Sequence, residues 1–106
     1  MKLKGRPASI GHIKGRARVI LDAAEAESTL EKGDILVTKM TDPNWTHLFP
    51  NLGGIITERG GILSHPAIIA REYGIPAVVS CKDATTEIPD GATISLDGQT
   101  GTITIE

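Results

Sequence analysis

The stretch from Gly54 to Val79 constrains the fold more than any other part of this chain. Gly54-Ile55-Ile56-Thr57 is a short apolar run that reads as a buried strand. A glycine pair follows, Gly60-Gly61, then Ile62-Leu63-Ser64-His65-Pro66. The segment from Pro66 to Tyr73 is the clearest helix in the sequence. Ser64 or His65 lies at its N-cap, and Pro66 fits the first turn, where a missing N–H costs nothing. Gly74 supplies a left-handed stop, and Pro76 bars continuation. Ala67 and Ala70 are small enough to let the helix pack closely on a sheet, and Ala77-Val78-Val79 is the next strand.

Elsewhere the signals are shorter. Ala8 to Gly15 is rich in glycine and small residues. Arg16 to Leu21 alternates, with Ala17, Val19 and Leu21 on one face, and reads as a strand. Asp22 to Leu30 is a short helix or turn, Gly33-Asp34 a turn and Ile35-Leu36-Val37 a buried strand. Thr41-Asp42-Pro43-Asn44-Trp45 opens a loop in which Asp42 caps a short helix starting at Pro43. Pro89-Asp90-Gly91 is a turn, and Thr93–Leu96 and Thr102–Ile105 form a closing hairpin. Short strands mixed with one or two helices indicate an α/β (α+β mixed) domain spanning 1–106.

Composition narrows the function classes. At 106 residues the chain has the size of one domain, with no room for a second large substrate site. The net charge of −2 is balanced, with no basic stripe for nucleic acid; Lys14, Arg16 and Arg18 recur at period two, as on the solvent face of a strand. Trp45, Phe49 and Tyr73 are the only aromatics, so the core is aliphatic. The lone Cys81 has no disulfide partner within the chain, which fits a reduced, cytoplasmic setting. No apolar run approaches the ~20 residues of a membrane span, and the first residues lack the apolar stretch of a signal peptide.

The chemistry concentrates at His65. A neutral imidazole nitrogen is a nucleophile for phosphorus, and the ordinary pKa of about 6.5 leaves much of the ring neutral in a cell. The first amides of the following helix have no intrahelical partner and, with the helix dipole, favour an anion. Gly60 and Gly61 let backbone approach a phosphate, and Ser64 offers a hydroxyl. Arg71 lies one to two turns into the helix, where it either reaches a phosphoryl group or is an exposed charge. Asp42 and Glu58 read as caps or solvated charges, Cys81 as a packed thiol, and Trp45 and Phe49 as core or as a docking surface. His12, His47 and His65 lack metal-ligand spacing.

Taken together, these segments resemble the mobile, swivelling phosphohistidine domain of the phosphoenolpyruvate (PEP)-utilising enzymes, a family that includes PEP synthase, pyruvate phosphate dikinase, enzyme I of the sugar phosphotransferase system and rifampin phosphotransferase. The resemblance runs from Ser9-Ile10-Gly11, through Gly33–Val37, Met40–Trp45 and Gly54–Gly61, to Asp97-Gly98 and Gly101-Thr102-Ile103. It implies a β/β/α three-layer fold, His65 as the phosphorylated residue and Thr41 as its contact. Gly60, Gly61 and Ser64 would shape the phosphate pocket, with Arg71 at the family's helix arginine. It also implies partners in the same or another chain: an ATP-grasp-like nucleotide-binding domain and a PEP/pyruvate-binding barrel. Those domains would hold Mg²⁺, and the swivelling domain itself would bind no cofactor. Three residues depart from the family pattern. Leu63 replaces a threonine of several members, Pro66 replaces a small residue, and Ser80 stands where glycine is common, which predicts a less tightly turned strand end. Two other readings stay open: a binding or regulatory module that keeps the fold without being phosphorylated, and the carrier of a rifampin-type antibiotic phosphotransferase.

Overall fold

In the computed structural model, which describes residues 1–106, the strands are β1 (Lys2–Lys4), β2 (Arg6–Ser9), β3 (His12–Val19), β4 (Ile35–Thr38), β5 (Gly54–Thr57), β6 (Ala77–Val79), β7 (Thr93–Asp97) and β8 (Thr102–Ile105). The helices are α1 (Ala23–Thr29), α2 (His65–Tyr73) and α3 (Ala84–Glu87), with a 3-10 helix over Pro43–Asn51. The strand order is β1-β8-β7-β3-β4-β5-β6-β2. The chain's first two strands thus lie at opposite ends of this order, yet only Gly5 separates them, so the order must fold over on itself into two layers. Gly5 marks the crossing: a Cβ there would lie 2.6 Å from Val78 Cγ1 and 2.8 Å from the Val79 carbonyl oxygen. Its N–H donates to the Gly101 carbonyl at 2.9 Å.

β3 joins the layers. His12–Arg16 pairs antiparallel with β7, and Ala17–Val19 pairs parallel with β4. β4, β5 and β6 are parallel neighbours buried along their whole length, which explains why they read as continuous apolar runs without alternation. One face of this layer (Ile35, Val37, Ile56, Val78) packs on Ile94, Leu96 and Ile103 of the β7–β8 hairpin. The other face (Leu36, Ile55, Ala77, Val79) packs on Ala26, Phe49, Ala67 and Ala70 of the helical layer. The result is the β/β/α three-layer architecture, with the small side chains Ala67 and Ala70 fully buried under α2.

The expected elements are present, with corrections. β3 stops at Val19, so Leu21 is 59% exposed and does not share the face of Ala17. Ile20 is buried instead, and its N–H donates to the Val37 carbonyl at 3.0 Å. The glycine-rich stretch Ala8–Gly15 contains the end of β2 and the first half of β3, and β1, β2 and α3 carried no sequence signal. β2 contains Pro7 and pairs only with β6, the edge position in which proline is tolerated. The basic period-two run is partnered rather than simply solvated: Lys14 pairs with Glu106 at 2.8 Å, Arg16 with Asp34 at 2.8 Å and Arg18 with Asp90 at 3.0 Å. Ser80 adopts φ 54°, so the end of β6 is tightly turned despite the missing glycine. No helix is long and apolar enough to cross a membrane.

Candidate functional site

The site lies where two helix starts meet. After β5, the Thr57 hydroxyl donates to the Arg59 carbonyl at 2.7 Å, and Gly60 takes φ 102°, which L side chains rarely adopt. A Cβ on Gly60 would lie 2.6 Å from Ser64 Oγ; at Gly61 the nearest atom to such a Cβ is Arg6 Nη1, at 4.0 Å. The glycine requirement therefore sits at Gly60, whereas Gly61 has room for a side chain. Gly61 contributes its carbonyl, which accepts both the Ser64 N–H at 3.1 Å and the Ser64 hydroxyl at 2.6 Å.

That bond decides the state of α2. Ser64 is the N-cap residue by backbone position, but its side chain makes no cap bond. The Ile68 N–H donates to the Ser64 carbonyl at 3.0 Å, and the amides of His65 and Ala67 ahead of it remain open, Pro66 having none. Ser64, expected to donate to a phosphate oxygen or to orient the ring, donates instead to the loop in this conformation. Arg71 does not reach toward the ring. Its Nε donates to the Ala8 carbonyl at 2.7 Å and its Nη1 to the Ile62 carbonyl at 2.6 Å, which ties the glycine loop to β2.

His65 opens α2 and is half-buried. Thr41, from the segment after β4, is buried, and its Oγ1 lies 2.7 Å from His65 Nδ1. Thr46 Oγ1 lies 2.9 Å from Nε2. The Phe49 ring meets the imidazole edge-on, with centroids 5.7 Å apart and planes at 86°. Thr46 was not among the residues singled out in the sequence. The missing signal was the helix type: in a 3-10 helix, side chains three apart eclipse, which places Thr46 and Phe49 on one edge. Burial holds the His65 pKa below its ordinary value, opposed by the negative charge of Asp42, so the ring is biased toward the neutral form that is able to act as a nucleophile.

The remaining candidates have structural roles. Asp42 caps the 3-10 helix through the Asn44 N–H at 2.9 Å. Glu58 accepts from the Thr85 N–H at 2.8 Å and from the Thr85 hydroxyl; these bonds, led by the hydroxyl, hold its carboxyl below the usual range against the effect of burial. Burial pushes the Cys81 thiol up to about 11, so it is no nucleophile. Trp45 and Phe49 belong to the core. His12 lies on β3 and His47 faces Glu27 at 3.4 Å, so the three histidines do not converge. Ile62, Leu63 and Ile68 are exposed around the start of α2.

The chain is similar to known proteins in sequence and in fold. Residues 30–101 match the family described as "PEP-utilising enzyme, mobile domain". The chain is 55% identical to a rifampicin phosphotransferase of Streptomyces sviceus over 97% of its own length, which is 12% of that protein. It is 54% identical to the rifampicin phosphotransferase of Bacillus subtilis over 95% of its length, 11% of that protein. A phosphoenolpyruvate synthase of Aeropyrum pernix is 48% identical over 95% of the chain, 12% of that protein. The chain thus spans about an eighth of the length of these relatives. Among solved structures, an Enzyme I protein in solution is 31% identical with a TM-score of 0.65, over 74% of this chain and 33% of that one. Aconitase X of Thermococcus kodakaraensis shares the fold, with a TM-score of 0.75 at 20% identity over 100% of this chain and 98% of that one. With two thirds of its residues matched by that family and relatives of about half identity spanning nearly all of it, the chain belongs to the family of mobile domains of PEP-utilising enzymes.

Proposed function

We propose that this domain is a phosphocarrier: His65 accepts a phosphoryl group at a nucleotide site on one partner domain and delivers it to a pyruvate, PEP or other acceptor site on another. The observation that carries this reading is a half-buried imidazole, biased toward neutrality, on the uncapped first turn of α2. Phosphoryl transfer asks for positioning and charge stabilisation more than for covalent help from the protein. Here the ring supplies the nucleophile, and the open amides of His65 and Ala67 supply donors for the added negative charge. In this reading Thr41 orients the ring, Gly60, Gly61 and Ser64 shape the phosphate loop, and Arg71 holds that loop in place. The partners are an ATP-grasp-like nucleotide domain and a PEP/pyruvate barrel, which hold Mg²⁺, and the setting is cytoplasmic. Relatives eight times longer than this chain support the need for such partners.

The higher identity to rifampicin phosphotransferases, 55% and 54% against 48% for the synthase, favours a carrier in a rifampin-type enzyme as the second reading.

The test is intact-mass measurement after incubation with ATP, Mg²⁺ and the nucleotide-binding domain of such an enzyme. The chain is expected to gain one acid-labile, base-stable phosphoryl group, and His65→Ala to gain none. Equal labelling of both proteins excludes His65 as the acceptor. A chain that binds the partner domain with no phosphoramidate signal in phosphorus NMR is instead a binding module.

A further inference from the structure

Arg71, the arginine expected beside the phosphate loop, is engaged by the carbonyls of Ala8 and Ile62. A different arginine stands at the loop. β2 runs antiparallel to β6, with Arg6 opposite Val79, so its first residue lies at the carboxyl end of the parallel strands. Thr41, the glycine pair and the start of α2 follow β4 and β5 at that same end, which is where open α/β sheets take their ligands. The Arg6 side chain reaches Gly61: its Nη1 is the nearest atom to the place a Cβ would occupy there, at 4.0 Å. Arg16 and Arg18 are paired with Asp34 and Asp90, whereas the Arg6 guanidinium makes no hydrogen bond or ion pair within the chain. Asp42 and Glu58, the carboxylates after β4 and β5, accept from the amides of Asn44 and Thr85 instead. The N–H groups of Gly60, Gly61, Ile62 and Leu63 also have no partner within the chain. A guanidinium with no counter-charge beside a run of free amides suits an anion. The fork offers paired donors to phosphate oxygens, and the amides add fixed partial positive charge.

We propose that Arg6 is the phosphate-binding arginine of this chain. From the start of β2 it holds non-bridging oxygens of a phosphate received by the glycine loop, while Arg71 braces that loop from behind. Arg6 moves no proton and forms no bond to phosphorus; it fixes the anion through paired hydrogen bonds and offsets its charge. That this phosphate is the one taken up by His65 rests on the phosphocarrier reading. The binding of a phosphate at Arg6 does not.

The test has two arms. In the first, inorganic phosphate is titrated into the ¹⁵N-labelled chain at constant pH and ionic strength, and backbone amide shifts are followed. Saturable shifts are expected at Gly60–Leu63, with an affinity about five- to tenfold weaker in Arg6→Gln. In the second, phosphoryl uptake from ATP and Mg²⁺ through the nucleotide-binding domain is timed. Arg6→Gln is expected to slow it about tenfold, and Arg6→Lys to recover part of both losses, since it restores the charge without the fork. Lys82→Gln removes the same charge from the segment after β6 and is expected to leave both readouts unchanged. Arg6 is exposed and unpartnered, so the urea midpoint of Arg6→Gln is expected to match that of the wild type. The proposal is overturned by the absence of saturable shifts at the loop, or by equal losses in Arg6→Gln and Lys82→Gln. Uptake by Arg6→Gln at the wild-type rate overturns it as well. A wild-type chain that binds phosphate through Arg6 and is never phosphorylated removes the carrier reading and leaves Arg6 as a phosphate ligand.

Discussion

The 3-10 helix and α2 begin with the same kind of signal, a small polar residue with a proline one or two positions after it, and end in opposite states. Asp42 turns its carboxylate onto the Asn44 N–H and closes its helix start. Ser64 turns its hydroxyl back onto the Gly61 carbonyl and leaves its helix start open. The difference comes from what precedes each cap. Gly60 at φ 102° sets up a turn that brings the Gly61 carbonyl under Ser64. A closed start is structural, whereas an open one keeps amide donors for an anion. The closed helix in turn serves the open one by presenting Thr46 and Phe49 to His65.

The contrast breaks most sharply at the glycine pair. Gly60→Ala is expected to cost about 2–3 kcal/mol in urea unfolding, because it combines a disallowed φ with a clash against Ser64. Gly61→Ala, with its open space, is expected to stay within about 0.5 kcal/mol. Equal costs would show that the turn is not what opens α2. Ser64→Asp imposes on α2 the cap that Asp42 gives the 3-10 helix. It is expected to slow phosphoryl uptake about tenfold or more through like-charge repulsion, while adding about 0.5–1 kcal/mol of stability.

Smaller effects sharpen the comparison. Asp42→Ala is expected to cost about 1 kcal/mol through the lost cap. Asp42→Asn keeps a capping oxygen but removes the charge that favours protonated His65; stability should change little, and the NMR titration midpoint of His65 should fall. Ser80→Gly relieves φ 54° and is expected to add about 0.5–1 kcal/mol, read as a higher urea midpoint. The smallest effect is the pH dependence from His65. Burial, opposed by Asp42, lowers its folded pKa, so the unfolded chain binds this proton more readily. Its contribution is fully present above the unfolded value of about 6.5 and is lost as pH falls through the folded value. His65→Gln should flatten that part of the stability–pH curve.

Much of the architecture was legible because its signals are local. Ile35–Val37, Gly54–Thr57 and Ala77–Val79 read as buried strands because a strand covered on both faces has no polar positions. The ends of α2 were fixed by Pro66 and by Gly74, which indeed adopts φ 69°. β1 and β2 were illegible because Lys2–Lys4 and Arg6–Ser9 are too short for a period to emerge; their pairing depends on β8 and β6, distant in sequence. Leu21 was misplaced because alternation was carried past the point at which β3 ends.

The site divides in the same way. The sequence by itself determined that His65 stands at a helix start behind a glycine turn, since proline, glycine and hydroxyl residues act on their immediate neighbours. Only the tertiary structure decided what surrounds the ring. Thr46 approaches it from nineteen residues away through a 3-10 turn, and Arg71 is drawn to the carbonyls of Ala8 and Ile62 instead of toward the histidine. Side-chain hydroxyls and guanidinium groups take whichever partner packing brings within reach, and that choice is made by the assembled layers.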